Sequence, residues 1–225
     1  MIQFASVTKS YPSGSIALDD VSFEIPENDF LFLVGPSGAG KTTVLKLIMR
    51  QIMPTSGSVM VDDTEISTPQ FTQVPVLRRA IGMVFQDFKI LRDKSIFENI
   101  AISLTILGLS KAEIEEKVTA ALDIVGLQTR ADAFPVQLSA GELQRIAIAR
   151  AVVGDRSIIL ADEPTGNLDP KTAWDIMEIF KKLEGTRTII IATHNADIVN
   201  HMKKRVLTII DGKLADDAKK GGYRL

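Results

Sequence analysis

Gly35-Pro-Ser-Gly-Ala-Gly-Lys-Thr-Thr43 is the stretch from which the rest of the chain can be read. It follows the apolar run Phe30-Leu-Phe-Leu-Val34 and precedes Val44-Leu-Lys-Leu-Ile-Met49, so a buried strand feeds a loop that opens a helix. Gly35, Gly40, Lys41 and Thr42 satisfy the spacing G-x-x-x-x-G-K-[ST] of phosphate-binding loops. Across Gly35, Pro36, Ser37, Gly38, Ala39 and Gly40 the glycines keep Cβ atoms away, so that successive backbone N–H groups can turn toward phosphate oxygens. The helix that begins at Lys41, Thr42 and Thr43 adds its positive dipole end. Lys41 is placed to reach the β- and γ-phosphates, and the Thr42 hydroxyl to ligate Mg²⁺. The alternative is a glycine-rich turn that matches by accident, and the correct flanks count against it. The stretch implies a nucleoside triphosphate.

The bulk numbers exclude several alternatives. A chain of 225 residues with 45% hydrophobic and 24% charged residues is an ordinary globular protein with room for a sizeable core. A formal net charge of -2 gives no reason to expect a nucleic-acid partner. With 0 cysteines there are no disulfides or thiolate metal sites, as suits a reducing compartment. Met1-Ile-Gln-Phe4 lacks the basic and apolar regions of a secretory signal. The longest apolar-leaning stretch, Ala101–Leu109, is broken by Ser103 and Thr105, far short of the roughly 20 residues that span a bilayer. If the protein works at a membrane, another chain holds it there.

Around the central loop the chain divides into strands and helices. Ile2–Val7 and Val21–Ile25 alternate apolar and polar residues and read as strands, joined through the turn-forming Pro12-Ser-Gly14. Tyr11 stands at the start of that turn, where it either stacks on a base or packs against its own strand. The helix after the loop is expected to end near Ile52-Met53-Pro54, before the proline. Ser58–Val61 reads as a strand closed by a turn at Asp62-Asp63, with a loop and short helix up to Pro75. Ile81–Phe85 is a further buried strand, ending in Gln86-Asp87.

The character then changes. Ile96, Phe97, Ile100, Leu104 and Leu107 form a helical stripe. Ser110-Lys-Ala-Glu113 is a capping box opening a second helix, whose apolar positions run to Val125 before Gly126 stops it. About 87–150 is therefore expected to be a helical lobe set into an α/β core formed by 1–86 and 151–225, all within a single domain.

Ser157-Ile-Ile-Leu-Ala-Asp-Glu-Pro164 drives four apolar residues into Asp162 and Glu163, placing both carboxylates at the carboxyl end of a buried strand, where ligands bind in open α/β sheets. One carboxylate can hold Mg²⁺ and the next can orient an attacking water as a base. Leu138-Ser-Ala-Gly-Glu142 reads two ways: Ser139 and Glu142 form a capping box, and the same helix start would welcome a phosphate. Asp169-Pro170 gives another helix start, and Arg187–Thr193 a third buried strand, ending at His194. Trp174 falls within helical periodicity and reads as packing.

Taken together, residues from Met1 to about Asp211 resemble the ATP-binding-cassette (ABC) ATPases. Gly35–Thr42 looks like Walker A, Gln86 like the Q-loop glutamine, and Leu138–Glu142 like the family signature. Ser157–Glu163 looks like Walker B with its catalytic glutamate, Asn167–Asp169 like the D-loop, and His194 like the switch histidine. The resemblance implies a P-loop NTPase core with a mixed sheet flanked by helices, an N-terminal antiparallel β part and an inserted helical lobe. It implies ATP and Mg²⁺, with Thr42, Gln86 and Asp162 toward the metal, and Glu163, His194 and Gln86 as catalytic residues. Tyr11 falls where the family stacks adenine. The family acts as head-to-tail homodimers in which Ser139, Gly141, Glu142 and Asp169 of one copy face the ATP on the other.

The signature departs from the usual Leu-Ser-Gly-Gly-Gln at Ala140 and Glu142. Glutamate is familiar there; a methyl at position 140 would crowd the phosphate unless that residue is already helical, and activity is expected at a reduced rate. Val84-Phe-Gln-Asp-Phe-Lys-Ile-Leu91, preceded by Pro75–Arg79, resembles the cell-division branch of the family, in which a cytoplasmic-face ATPase drives an integral membrane partner controlling peptidoglycan hydrolases. Lipoprotein-releasing and macrolide-export cassettes look much alike. A soluble DNA-repair cassette would carry long heptad-rich insertions, a translation-associated ATPase would fuse two cassettes, and a small-molecule kinase would leave Leu138–Glu142 and His194 unexplained. The tail Asp216–Leu225 reads as a frayed, solvated terminus.

Overall fold

The computed structural model describes residues 1–154 and 156–223, and the chain falls into two compact units, residues 1–79 with 184–223 and residues 80–183.

The first unit contains two sheets. β1 (Ile2–Ser10), β2 (Ile16–Ile25), β4 (Ser56–Val61) and β5 (Thr64–Glu65) form an antiparallel sheet in the order β2-β1-β4-β5. Both β1 and β2 run longer than their alternation suggested, because the reversal is confined to Tyr11–Ser15, closed by the Tyr11 N–H to Ser15 carbonyl bond. β3 (Phe30–Val34) lies between β8 (Thr188–Thr193) and β9 (Arg205–Ile210), parallel to both, while β10 (Lys213–Ala218) runs antiparallel to β9. Every residue of β3 and β8 is buried, which is why neither shows polar alternation. The sheet is mixed, as expected for this α/β class.

α1 (Lys41–Ile48) follows the central loop and is shorter than expected. Its end is set before the proline: Arg50 enters the left-handed region at φ 50°, and the Arg78 guanidinium caps the Met49 and Arg50 carbonyls at 3.0 Å each. Arg78 belongs to α2 (Val74–Ala80), one residue of which already lies in the second unit. α7 (Ala196–Met202) starts at its N-cap Asn195, directly after His194.

The carboxyl-terminal tail is not frayed up to Tyr223. The Asn200 side chain accepts from the Gly222 and Tyr223 N–H groups and donates to the Tyr223 carbonyl, and the Tyr223 residue is 3% exposed. Burying a tyrosine and satisfying three main-chain groups outweighs the entropy of a short loose end. Arg224 and Leu225 lie outside the described residues.

The second unit pairs β6 (Ile81–Val84) in parallel with β7 (Ile158–Asp162) and adds four α-helices: α3 (Ile96–Ile106), α4 (Lys111–Val125), α5 (Ala140–Val152) and α6 (Pro170–Lys182). α5 packs against α3, α4, α6 and β6, and its Ile146, Ala147, Ile148 and Ala149 are fully buried. Gly126 stops α4 in the left-handed region at φ 69°. Asp169 caps α6 by accepting from the Thr172 N–H, with Pro170 at the first helical position. Trp174 is half-buried on that helix.

Candidate functional site

The first unit holds Tyr11, the loop Gly35–Thr43 and His194; the second holds Gln86, Ser139–Glu142, Asp162, Glu163 and Asp169.

The loop follows β3 directly and stays close to neighbouring backbone. Gly40 has φ 114°, and a Cβ there would meet the Ala17 carbonyl oxygen at 2.4 Å. Only glycine can take that conformation at that approach. Lys41 is buried, 7% exposed, and its ammonium donates to the Gly35 carbonyl at 2.7 Å and the Pro36 carbonyl at 3.0 Å. The loop's own carbonyls thus hold the lysine against the segment whose N–H groups would face phosphate. Ser37, Gly38 and the Thr42 side chain are exposed. The Tyr11 hydroxyl lies 3.5 Å from the Thr43 hydroxyl, and Lys9 stands 5.4 Å from the Tyr11 ring centre, so the ring lies beside the helix that starts at the loop. His194 is exposed at the end of β8, between Thr193 and the cap of α7.

In the second unit β7 delivers Asp162 as its last residue, and Glu163 follows with φ 48°, a left-handed conformation rare for a residue with a side chain. Such an outlier costs on the order of 1–3 kcal/mol and clusters at functional sites. The turn returns through Gly166, whose N–H bonds the Glu163 carbonyl at 3.1 Å. Asn167 then donates to the Gln86 carbonyl at 3.3 Å. A Cβ on Gly166 would lie 3.3 Å from the Gln86 amide nitrogen and 3.6 Å from the Glu163 Cβ. Gln86, Glu163 and Asn167, far apart in the chain, are therefore neighbours.

Ser139 is the N-cap of α5, and Ala140 is its first helical residue. The Ser139 hydroxyl accepts from the Glu142 N–H at 3.3 Å and donates to the Glu142 carboxylate at 2.9 Å, which also accepts from the Ser139 N–H at 2.9 Å. Those bonds, then the Arg130 guanidinium 3.3 Å away, hold the Glu142 carboxyl below the ordinary carboxylate range. The Thr172 hydroxyl and N–H do the same for Asp169. Ser139, Gly141, Glu142, Asn167, Asp169 and Thr172 line one cavity of about 480 Å³. Gly141 has no room for a side chain, since a Cβ would meet the Thr172 methyl at 2.5 Å. Capping and lining are thus compatible roles for Ser139.

Some residues escaped the sequence reading. Arg130 belongs to no motif, and only the fold brings it to Glu142. Ser95 and Glu98 form a capping box for α3, a signal that was legible as Ser-x-x-Glu. Asn99 and Arg150 hold the segment after Gln86 from distant positions, and nothing local announces them.

Known proteins resemble the chain across nearly its whole length. A family model described as ABC transporter matches residues 18–166. The chain is 44% identical over 225 residues to the cell division ATP-binding protein FtsE of Bacillus subtilis, covering 99% of this chain and 98% of that one. It is 44% identical over 215 residues to FtsE of Escherichia coli K12, covering 95% of this chain and 97% of that one. Among solved structures it is similar to the bacterial ABC transporter cassette MJ0796 in its dimeric form, with TM-score 0.88 and 35% identity over 99% of this chain and 100% of that one. A post-hydrolysis dimer of the same cassette with ADP and Pi matches with TM-score 0.88 and 33% identity, over the same 99% and 100%.

Proposed function

The chain belongs to the ABC transporter family, and we propose that it is the ATP-hydrolysing subunit of a cell-division assembly, driving an integral membrane partner of the FtsX type from the cytoplasmic face. The observation that carries this reading is identity of 43–44% to FtsE proteins of several bacteria over 95–99% of the chain.

The residues take the following roles. Gly35–Thr43 cradles the triphosphate, Lys41 exchanges its loop carbonyls for the β- and γ-phosphates, and Tyr11 stacks on adenine. Thr42, Gln86 and Asp162 offer hydroxyl, amide and carboxylate oxygens, the hard donors that suit Mg²⁺. A bound cation would supply positive charge against the triphosphate there. Glu163 accepts a proton from the attacking water, and its left-handed backbone sets the direction in which its side chain leaves the main chain. His194 holds the γ-phosphate and the water. From a second copy, Ser139 turns its hydroxyl away from Glu142 toward the γ-phosphate, while Gly141 and the α5 N-terminus offer N–H groups. Asp169 lines the same surface. Residues 87–150 act as the lobe that levers a cytoplasmic helix of the partner.

Copurification from detergent-solubilised membranes tests the assignment. The expected companion is an integral protein with a large extracytoplasmic loop that binds a peptidoglycan hydrolase. Recovery of a lipoprotein-releasing or macrolide-export permease instead would overturn the cell-division role and leave the ATPase assignment standing.

A further inference from the structure

The segment that follows Gln86 is held in an unusual way. Phe88 and Lys89 are consecutive residues with side chains in the left-handed region, at φ 61° and 50°. Either alone is uncommon for a non-glycine residue, and neither belongs to the asparagine and aspartate group that tolerates the region. Their carbonyls are both taken by one guanidinium: Arg150 donates to the Lys89 carbonyl at 2.6 Å and to the Phe88 carbonyl at 2.8 Å. Burial depresses the basicity of Arg150, so the charge is partly desolvated where it meets those carbonyls. Arg150 lies on the same helix, α5, whose first turn carries Ser139, Gly141 and Glu142.

The far end of the segment is fastened independently. Asn99, fully buried on α3, accepts from the Leu91 N–H at 2.8 Å and donates to the carbonyls of Leu91, Lys94 and Ser95 at 2.9–3.1 Å. Residues 88–95 are thus fastened at both ends. The Gln86 carbonyl accepts from Asn167, and its amide nitrogen is the atom nearest a Cβ placed on Gly166. Asp87 alone separates the left-handed pair from Gln86.

We infer that Arg150 is a positioning residue for Gln86: its guanidinium holds Phe88 and Lys89 left-handed, and so fixes where Gln86 is presented beside the Glu163–Asn167 turn. Through α5 it also ties that position to the helix bearing the Ser139–Glu142 motif. The inference deepens the proposed ATPase reading and rests on it, since it takes Gln86 to act at the metal and γ-phosphate.

The test uses the full chain. Arg150→Met should lower kcat for Mg-ATP about tenfold, within the hundredfold that a misplacement of about 1 Å can cost, and raise the Mg²⁺ concentration for half-maximal activity. Affinity for a fluorescent ATP analogue, read as the direct property of Gly35–Thr43, should stay within about twofold of the parent. Lys89→Gly supplies the left-handed backbone without strain, so Arg150→Met/Lys89→Gly should recover much of both losses. If Arg150→Met is too unstable to purify, Arg150→Lys, which keeps one donor group, should show a smaller loss with the same rescue. A folded Arg150 variant with parental kcat and Mg²⁺ requirement would overturn the assignment, as would a loss that Lys89→Gly does not relieve. Gln86→Ala separates the two layers. If Gln86→Ala itself leaves kcat and the Mg²⁺ requirement unchanged, the role given to Gln86 fails and this inference with it. If only the Arg150 variants are silent, the ATPase reading stands and the clamp alone is wrong.

Discussion

At the scale of single residues, Glu163 and Gly141 make the sharpest demands. Glu163 adopts a left-handed backbone one residue beyond β7, a strain that the Gly166 N–H bond to its carbonyl helps to hold. Glu163→Gln keeps the side chain's shape while removing the base. Phosphate release should fall by at least about a hundredfold, whereas light scattering in Mg-ATP should still report twice the 24.6 kDa sequence mass. A dimer hydrolysing at the parental rate would remove Glu163 from its role. Gly141 is constrained by a different force. A methyl there meets the Thr172 side chain at 2.5 Å, within the cavity that Asp169 shares. Gly141→Ala should weaken ATP-driven dimerisation, with the fluorescent-analogue affinity of the monomer kept. Gly141→Ala/Thr172→Ser, which removes the obstructing methyl, should recover dimerisation. Ala140 raises no such conflict, because it is the first helical residue of α5 and exposed.

At the scale of elements, three helices start with the same device. Ser95–Glu98, Ser110–Glu113 and Ser139–Glu142 are reciprocal capping boxes, and each glutamate carboxyl is held below the ordinary range. For Glu98 and Glu142 the leading cause is the serine N–H; for Glu113 it is the serine hydroxyl. A carboxyl with a depressed folded pKa contributes stability above its unfolded value of about 4.3, and loses it as pH falls through the folded value. Carboxyl carbon titration by NMR should therefore place these three midpoints below those of the same glutamates in unfolded peptides of matching sequence. Glu98→Gln should lower the neutral plateau slightly and leave the acid end unchanged, which flattens the curve between them. These caps are local, spanning three residues, which is why each is legible in the sequence as Ser-x-x-Glu. The Arg150 clamp spans 61 and 62 residues, and the Asn200 clasp 23, so no window on the chain contains either.

At the scale of the whole molecule, the tail is a stabilising clasp rather than a loose end. Truncation after Lys220 removes the Asn200 bonds and the buried Tyr223 ring. The melting temperature should drop by roughly 5–10 °C, from a loss of about 2–3 kcal/mol in a chain of this size. An unchanged melting curve would return the tail to the solvated class. Arg205 on β9, bonded to both Asp217 and Asp29, fastens the same region and has its basicity raised by those carboxylates, Asp217 first.

The chain's order of motifs and the type of nearly every long element follow from sequence alone, because their causes are short-range. Glycine spacing, i to i+3 capping and uninterrupted apolar runs act within a few residues. β3 and β8 read correctly as doubly buried strands for that reason. What only the tertiary structure decided is which distant groups meet. It ended α1 at Ile48, because Arg78 reaches back to its carbonyls. It brought Arg130 to Glu142 and seated Gln86 beside Glu163 and Asn167. It also secured two left-handed residues under Arg150. Such contacts are chosen by packing and by the need to satisfy buried polar groups, and that choice exists only once the core has closed.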